Sequence, residues 1–103
     1  MNKTISKADE YLIHSYNRFP IVLEKGEGVY LFDDGGKKYL DFASGIGVFA
    51  LGYGNAKYNE AIKVQIDKLI HTSNLFYNAP AAQGAEKFVK AANMERVFFT
   101  NSG

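Results

Sequence analysis

The sequence predicts an α/β protein. Three observations carry that reading. β-prone runs between residues 21 and 42 are broken by glycines, two stretches of helical apolar spacing lie between residues 56 and 93, and a short apolar run at 96–100 turns into Asn101-Ser102-Gly103. A small meander followed by helix, helix and a buried strand is the opening order of an α/β domain, because parallel strands need crossover connections.

Taken in order, Ser6-Lys7-Ala8-Asp9 has the form of a capping box, and Tyr11, Leu12, Ser15 and Tyr16 follow at roughly helical spacing until Pro20. A short first helix is expected there. Ile21-Val22-Leu23 and Val29-Tyr30-Leu31-Phe32 are rich in β-branched and aromatic residues, with Gly26 and Gly28 between them. Asp33-Asp34-Gly35-Gly36 tolerates positive φ, and Lys37 to Phe42 resumes the alternation, which predicts an antiparallel hairpin. Residues 43–55 place Gly45, Gly47, Gly52 and Gly54 among apolar residues, a composition suited to backbone lying close to something else. Asn55 is positioned to cap a helix over 56–71 whose apolar stripe is Tyr58, Ala61, Ile62, Ile66, Leu69 and Ile70. A second helix is expected from Asn78, with Pro80 in its first turn and Asn93 as its stop. Arg96 to Thr100 then reads as a buried strand that leaves its parallel partners unmade, so the chain looks unfinished at its C-terminus.

The totals exclude several functions. With 103 residues, 47% hydrophobic and 15% aromatic, the chain should fold as one modest domain and bury a core. Twelve basic and eleven acidic residues leave a formal charge of +1, which gives no electrostatic case for nucleic acid or an anionic membrane. The absence of cysteine removes disulfides and thiol catalysis and suits a reducing compartment, so cytoplasm is the expected location. The first ten residues lack an apolar signal core, and the greasy stretch from Gly45 to Leu51 is too short to span a bilayer. His14 and His71 are isolated, so no metal site is assigned. Lys37, Lys63 and Lys90 fall on a turn or on polar helix faces and are read as solvated charges.

A strand that turns through small polar residues and glycine into a helix is a common phosphate cradle, with backbone amides and the helix dipole facing the anion. Val97 to Gly103 matches its entry, although Asn-Ser-Gly is also ordinary turn chemistry. Context raises the specificity. Gly26 to Gly36, Tyr39-Leu40-Asp41-Phe42-Ala43-Ser44-Gly45-Ile46-Gly47-Val48, Leu51-Gly52, His71-Thr72-Ser73-Asn74-Leu75 and Val97 to Gly103 occur here in one order. In that order they resemble the class III pyridoxal-phosphate-dependent aminotransferases, most closely the acetylornithine branch, from about Tyr16 to the last residue.

The resemblance implies a fold-type I transferase. Residues 1–55 would belong to its small domain and residues 56–103 to the start of its large, cofactor-binding α/β domain. It further implies pyridoxal 5′-phosphate as cofactor, with Ser102 and Gly103 on its phosphate, and a homodimer, for which the greasy 45–51 loop and the 71–78 segment are candidate interface surfaces that sequence alone does not place. The reaction implied is ping-pong transamination of N-acetylornithine with 2-oxoglutarate in arginine biosynthesis, between amino-acid and 2-oxo-acid substrates. The ornithine or 4-aminobutyrate type of ω-aminotransferase is the alternative. Tyr16 matches by order a tyrosine on the substrate side of ornithine enzymes; otherwise it is a helix-end aromatic packed on the meander. Ile46 stands where ornithine enzymes have a second tyrosine and where acetylornithine and 4-aminobutyrate enzymes have isoleucine, so it should disfavour free ornithine relative to an acylated or uncharged chain, unless it is merely core. Arg18 reads as an exposed structural arginine.

Two departures from the family pattern stand out. Gly52-Tyr53-Gly54-Asn55-Ala56 replaces the usual Gly-His-x-His-Pro stretch. The Schiff-base lysine, the carboxylate for the pyridinium nitrogen and the arginine for the substrate carboxylate all belong downstream, so this segment holds no catalytic residue and is expected to be inactive alone. A rival from another class is a free-standing, non-catalytic phosphate- or partner-binding module. It would put a terminal carboxylate where the first reading puts a phosphate, which is electrostatically poor.

Overall fold

The computed structural model describes residues 2–102. The chain falls into two compact units, Met1–Ile62 and Lys63–Gly103.

The first unit opens with α1 (Lys3–Tyr11), whose cap is Asn2: its side-chain oxygen accepts from the amides of Thr4 and Ile5. The expected cap at Ser6 is not used. Ser6 lies inside the helix, its amide and hydroxyl both donating to the Asn2 carbonyl at 3.0 and 3.2 Å. Leu12 is already extended, with φ −98° and ψ 138°, so the helix ends well before Tyr16. The capping box was a sound local signal that lost to a better-placed asparagine four residues earlier.

The meander forms in the expected order, as β1 (Leu23–Glu27), β2 (Tyr30–Asp33) and β3 (Lys38–Leu40), antiparallel β1-β2-β3. Strand β1, however, begins where the expected Ile21–Leu23 run ends and takes in Gly26, because its pairing with β2 runs from Leu23 opposite Asp33 to Glu27 opposite Tyr30. Gly28, at φ 59°, turns β1 into β2. The β2–β3 turn is organised by Asp33, whose Oδ1 accepts from the amides of Gly35 and Lys37 at 3.0 and 2.8 Å while Oδ2 accepts from the Tyr39 hydroxyl at 2.8 Å. Lysine ammoniums sit over the aromatic rings of the sheet, Lys38 at 3.7 Å from the Tyr30 centroid and Lys25 at 5.3 Å from that of Phe32.

Beyond the sheet, a single turn, α2 (Ser44–Gly47), precedes α3 (Ala56–Lys68). Asn55 caps α3 as its sequence position predicts, its side-chain oxygen accepting from the Tyr58 amide at 2.9 Å. The helix stops at Lys68 rather than His71. There Gln65 Nε2 donates to the Leu69 carbonyl at 2.8 Å, satisfying an acceptor that a further turn would otherwise need.

In the second unit, α4 (Ala79–Ala92) has both predicted ends. Asn78 accepts from the Ala81 amide at 2.9 Å and Pro80 lies in the first turn. Asn93 is left-handed at φ 53°, and the amides of Asn93 and Met94 return to the carbonyls of Lys90 and Val89, a paired closure of the last turn. The strand expected over 96–100 does not form. A buried strand draws its backbone hydrogen bonds from neighbouring strands, and the second unit has none among the described residues. Phe98 is accordingly 87% exposed, and Phe99, 59% exposed, meets Phe88 edge-on at 6.4 Å between centroids.

The expected core is also missing. Among the described residues no side chain is buried. The accessible surface is 9784 Å², where a folded chain of this mass usually exposes about 5,800 Å². The apolar stripes of α3 and α4 are present as amphipathic faces, but the surface that would cover them is not supplied by these residues.

Candidate functional site

The most unusual backbone in the molecule lies at residues 44–47. Ser44, Gly45, Ile46 and Gly47 all have positive φ, at 49°, 61°, 63° and 76°. Glycine enters that region freely, but serine and above all a β-branched isoleucine do not; each such residue costs about 1–2 kcal/mol. Conformations of this kind cluster where function needs a particular presentation. Here the presented side chain is Ile46, which is 96% exposed, so within this chain it is not a core residue.

The turn is held from several directions. The carbonyl of Ala43 accepts from the Gly47 amide at 2.9 Å, and that of Ser44 from the Phe49 amide at 2.8 Å. Asp41 Oδ1 accepts from the amides of Ala43 and Ser44, both at 2.9 Å, and Oδ2 accepts from the Tyr53 hydroxyl at 2.8 Å. The Ser44 amide, the Tyr53 hydroxyl and the Ala43 amide, in that order, hold the Asp41 carboxyl below the usual carboxylate range. The same contact with Asp41 pushes the Tyr53 phenol up.

Tyr53 is itself fastened to the meander. Its amide and carbonyl pair with the Gly28 carbonyl and amide at 2.8 and 2.7 Å, and its ring stacks on Phe49 at 5.2 Å between centroids. A Cβ on Gly26 would lie 2.3 Å from Tyr53 Cγ, and one on Gly52 would lie 2.7 Å from the Gly28 carbonyl oxygen. Of the glycines anticipated as points of close approach, Gly52 alone meets a neighbour, whereas Gly45, Gly47 and Gly54 face open space; Gly26, expected only as a break between strands, is the second point of close approach. Phe49 also meets Tyr58 of α3 edge-on at 6.1 Å, so the loop is pinned at both its ends.

Tyr16 lies in the irregular segment after α1, 71% exposed, with the Arg18 guanidinium 5.9 Å from its ring centroid. It is not a helix-end aromatic. It borders a cleft of about 440 Å³ whose walls include Ile5, Ala8, Phe19 and Val22. Ile46 does not line that cleft. Ser102 is exposed, as are Thr100 and Asn101 beside it, while Gly103 lies outside the described residues. Hydroxyls and amides open to solvent are the donor set a phosphate requires, so the residues present there fit an anionic group in kind.

Sequence reasoning missed Asp41 and Tyr53. The signal for Asp41 was available: an aspartate two and three residues before Ala43 and Ser44 is the spacing of a local side-chain-to-amide turn. No local pattern pointed to Tyr53, whose role depends on the fold returning it to Gly28. Among the described residues no helix is long and apolar enough to cross a membrane, and no group of His, Asp and Glu is arranged to hold a metal ion.

Comparison with known proteins gives a consistent answer. The family description "Aminotransferase class-III" matches residues 11–103. The chain is 50% identical over 94 residues to an acetylornithine aminotransferase of Aquifex aeolicus, covering 90% of this chain and 25% of that protein. It is similar to the crystal structure of N-acetylornithine aminotransferase from Stenotrophomonas maltophilia, at 40% identity and TM-score 0.83 over 95% of this chain and 26% of that one. It is also similar to the omega transaminase from Pseudomonas jessenii in complex with PMP, at 34% identity and TM-score 0.83, covering 95% of this chain and 24% of that one. The chain thus spans about a quarter of the length of the proteins it matches.

Proposed function

The chain belongs to the class III aminotransferases, with the fold of the N-terminal segment of a fold-type I transferase, and from that premise we propose that it serves an enzyme transaminating N-acetylornithine with 2-oxoglutarate. Residues 1–55 contribute to its small domain and residues 56–103 begin its large domain. The observation that carries the substrate reading is the strained turn that presents Ile46. An apolar branched side chain offers no hydrogen bond to a free δ-amine and leaves room for an acylated one. Names of relatives at up to 50% identity support the same choice.

Bound pyridoxal 5′-phosphate supplies the electron sink that lets an amine carbon give up its proton. Ser102 and Gly103 would hold its phosphate, in the Asn101-Ser102-Gly103 turn that the family resemblance points to. Tyr16 and Ile46 bind and orient the amine substrate, Tyr16 with a phenol that Arg18 stacks against. The enzyme acts in the cytoplasm as a homodimer, in arginine biosynthesis. Residues 1–103 include no lysine read as the cofactor's partner, so this chain by itself is inactive. A broader ω-amine specificity is the second reading, favoured by the similarity to an omega transaminase.

Replacing Ile46 with tyrosine in the complete enzyme tests the reading. The phenol adds a directional partner for free ornithine and fills the space of the acyl group, so the ratio of kcat/KM for acetylornithine to that for ornithine should fall by about 1–3 kcal/mol in free-energy terms. An unchanged ratio would remove Ile46 from the substrate site.

A further inference from the structure

We propose that Asp41 and Tyr53 are positioning residues that hold the Ser44–Gly47 turn left-handed and thereby fix Ile46 against the amine substrate. This deepens, and rests on, the placement of Ile46 at the substrate.

The argument begins with strain. Ser44 and Ile46 both occupy a backbone region that L-residues with side chains avoid. Such a conformation persists only when its surroundings over-determine it. Within these residues burial of Ile46 does not do so, because its side chain is 96% exposed. Backbone bonds within the turn contribute, but they can re-form in other turn types. The fixed external partner is Asp41, whose carboxylate oxygen takes the amides of Ala43 and Ser44 where the chain enters the turn. Amides accepted by a carboxylate are charge-assisted and shorter-ranged in their tolerance than neutral pairs.

Asp41 needs a support of its own, since an aspartate side chain has two rotatable bonds. Tyr53 provides it by donating its hydroxyl to the second oxygen at 2.8 Å. Tyr53 cannot drift, because its backbone is bridged to Gly28 in both directions and its ring is held between Gly26 and Phe49. A continuous path therefore runs from the three-stranded sheet through Tyr53 and Asp41 to the turn. Ile46 is thereby referenced to the rigid sheet, although it sits on a loop.

The molecule contains its own control. Asp33 has the same chemistry, two turn amides on one oxygen and the Tyr39 hydroxyl on the other. Its turn joins β2 to β3 and presents no candidate substrate residue. Removing Asp33 should cost order at that turn and leave specificity alone.

The experiment compares Asp41→Ala, Tyr53→Phe and Asp33→Ala with Ile46→Tyr in the complete enzyme, reading kcat/KM for acetylornithine and ornithine and amide hydrogen exchange at Ser44. Asp41→Ala should change the substrate ratio by about three- to tenfold, less than the roughly 10–200-fold of a directly discriminating contact because the Ile46 side chain is retained, and speed exchange at Ser44. Tyr53→Phe, which retains the ring, should shift both in the same direction by less. Asp41→Asn, which keeps one carbonyl for the turn amides, should recover part of the ratio. Asp33→Ala should lower the melting temperature without moving the ratio. A ratio unmoved by Asp41→Ala and Tyr53→Phe but shifted by Ile46→Tyr overturns the positioning role alone. A ratio unmoved by all three overturns the substrate placement and this role with it. Should Asp41→Ala not fold, Tyr53→Phe decides.

Discussion

The loop at 43–55 and the segment at 94–102 contrast in a way that composition would not suggest. The first has four glycines and no regular strand or long helix, yet it is tied to the sheet by Asp41, by the Gly28–Tyr53 bridge and by Phe49. The second contains Val97-Phe98-Phe99, among the most β-prone triplets in the chain, and forms no strand. The difference lies in where backbone and side-chain partners come from. The loop finds its partners within the same unit, whereas a parallel-type strand must borrow them from strands absent from its own.

The contrast can be broken most severely at Gly52. A side chain there meets the Gly28 carbonyl at 2.7 Å on a backbone with φ 76°, so Gly52→Ala should destabilise the loop by about 3 kcal/mol. Loss of exchange protection at the Gly28 and Tyr53 amides, with the α4 amides unaffected, is the expected signature. Protection retained at Tyr53 would mean that the bridge does not depend on close glycine approach.

A smaller effect sharpens the other side of the comparison. Asn78→Ala removes the acceptor of the Ala81 amide and should cost α4 about 1 kcal/mol, as a lost N-cap does. Helicity measured by circular dichroism should fall while the Ser44 amide keeps its exchange rate. An unaltered helical signal would show that Pro80 and the Asn93 closure suffice to hold the helix.

The smallest effect is on pH. Hydrogen bonds from Tyr39 and the Lys37 and Gly35 amides lower the Asp33 carboxyl, and the Ser44 amide, Tyr53 and the Ala43 amide lower that of Asp41. A carboxyl lowered by folding stabilises fully above its unfolded value, and that contribution is lost as pH falls through the folded one. Both groups are solvent-accessible, which screens the gain. Acidification below the ordinary carboxylate range should therefore shift the amide resonances of Ser44 and Lys37, while Ala81, held by a neutral asparagine, stays put. Parallel movement of all three would point to general unfolding instead.

Legibility in the sequence followed the same division. The ends of α4 were readable because Asn78, Pro80 and Asn93 each act on amides or carbonyls within a turn of themselves. The meander was readable for the same reason, through Gly28 and the Asp33 turn. The first helix was placed late because two capping residues, Asn2 and Ser6, compete over one turn, and hydrogen-bond geometry favours the earlier. Ile46 was singled out for its chemistry, but its left-handed backbone was not foreseeable, since the glycines on either side explain only their own conformations. Tyr53 was invisible because its partners are Gly26, Gly28 and Asp41, all distant in sequence.

The Gly28–Tyr53 bridge also dictates an order of assembly. Closing the chain between those residues costs about 3 kcal/mol of loop entropy, whereas the β1–β2 and β2–β3 hairpins close over short turns. The hairpins therefore form first and present Gly28 as a docking point, and the 43–55 loop settles on them late. Contacts made after the folding barrier govern how fast a structure comes apart rather than how fast it forms. A Tyr53 clasp that closes after that barrier acts as a brake on unfolding, so weakening it should raise the unfolding rate of the Ile46 turn and leave the folding rate unchanged in stopped-flow kinetics.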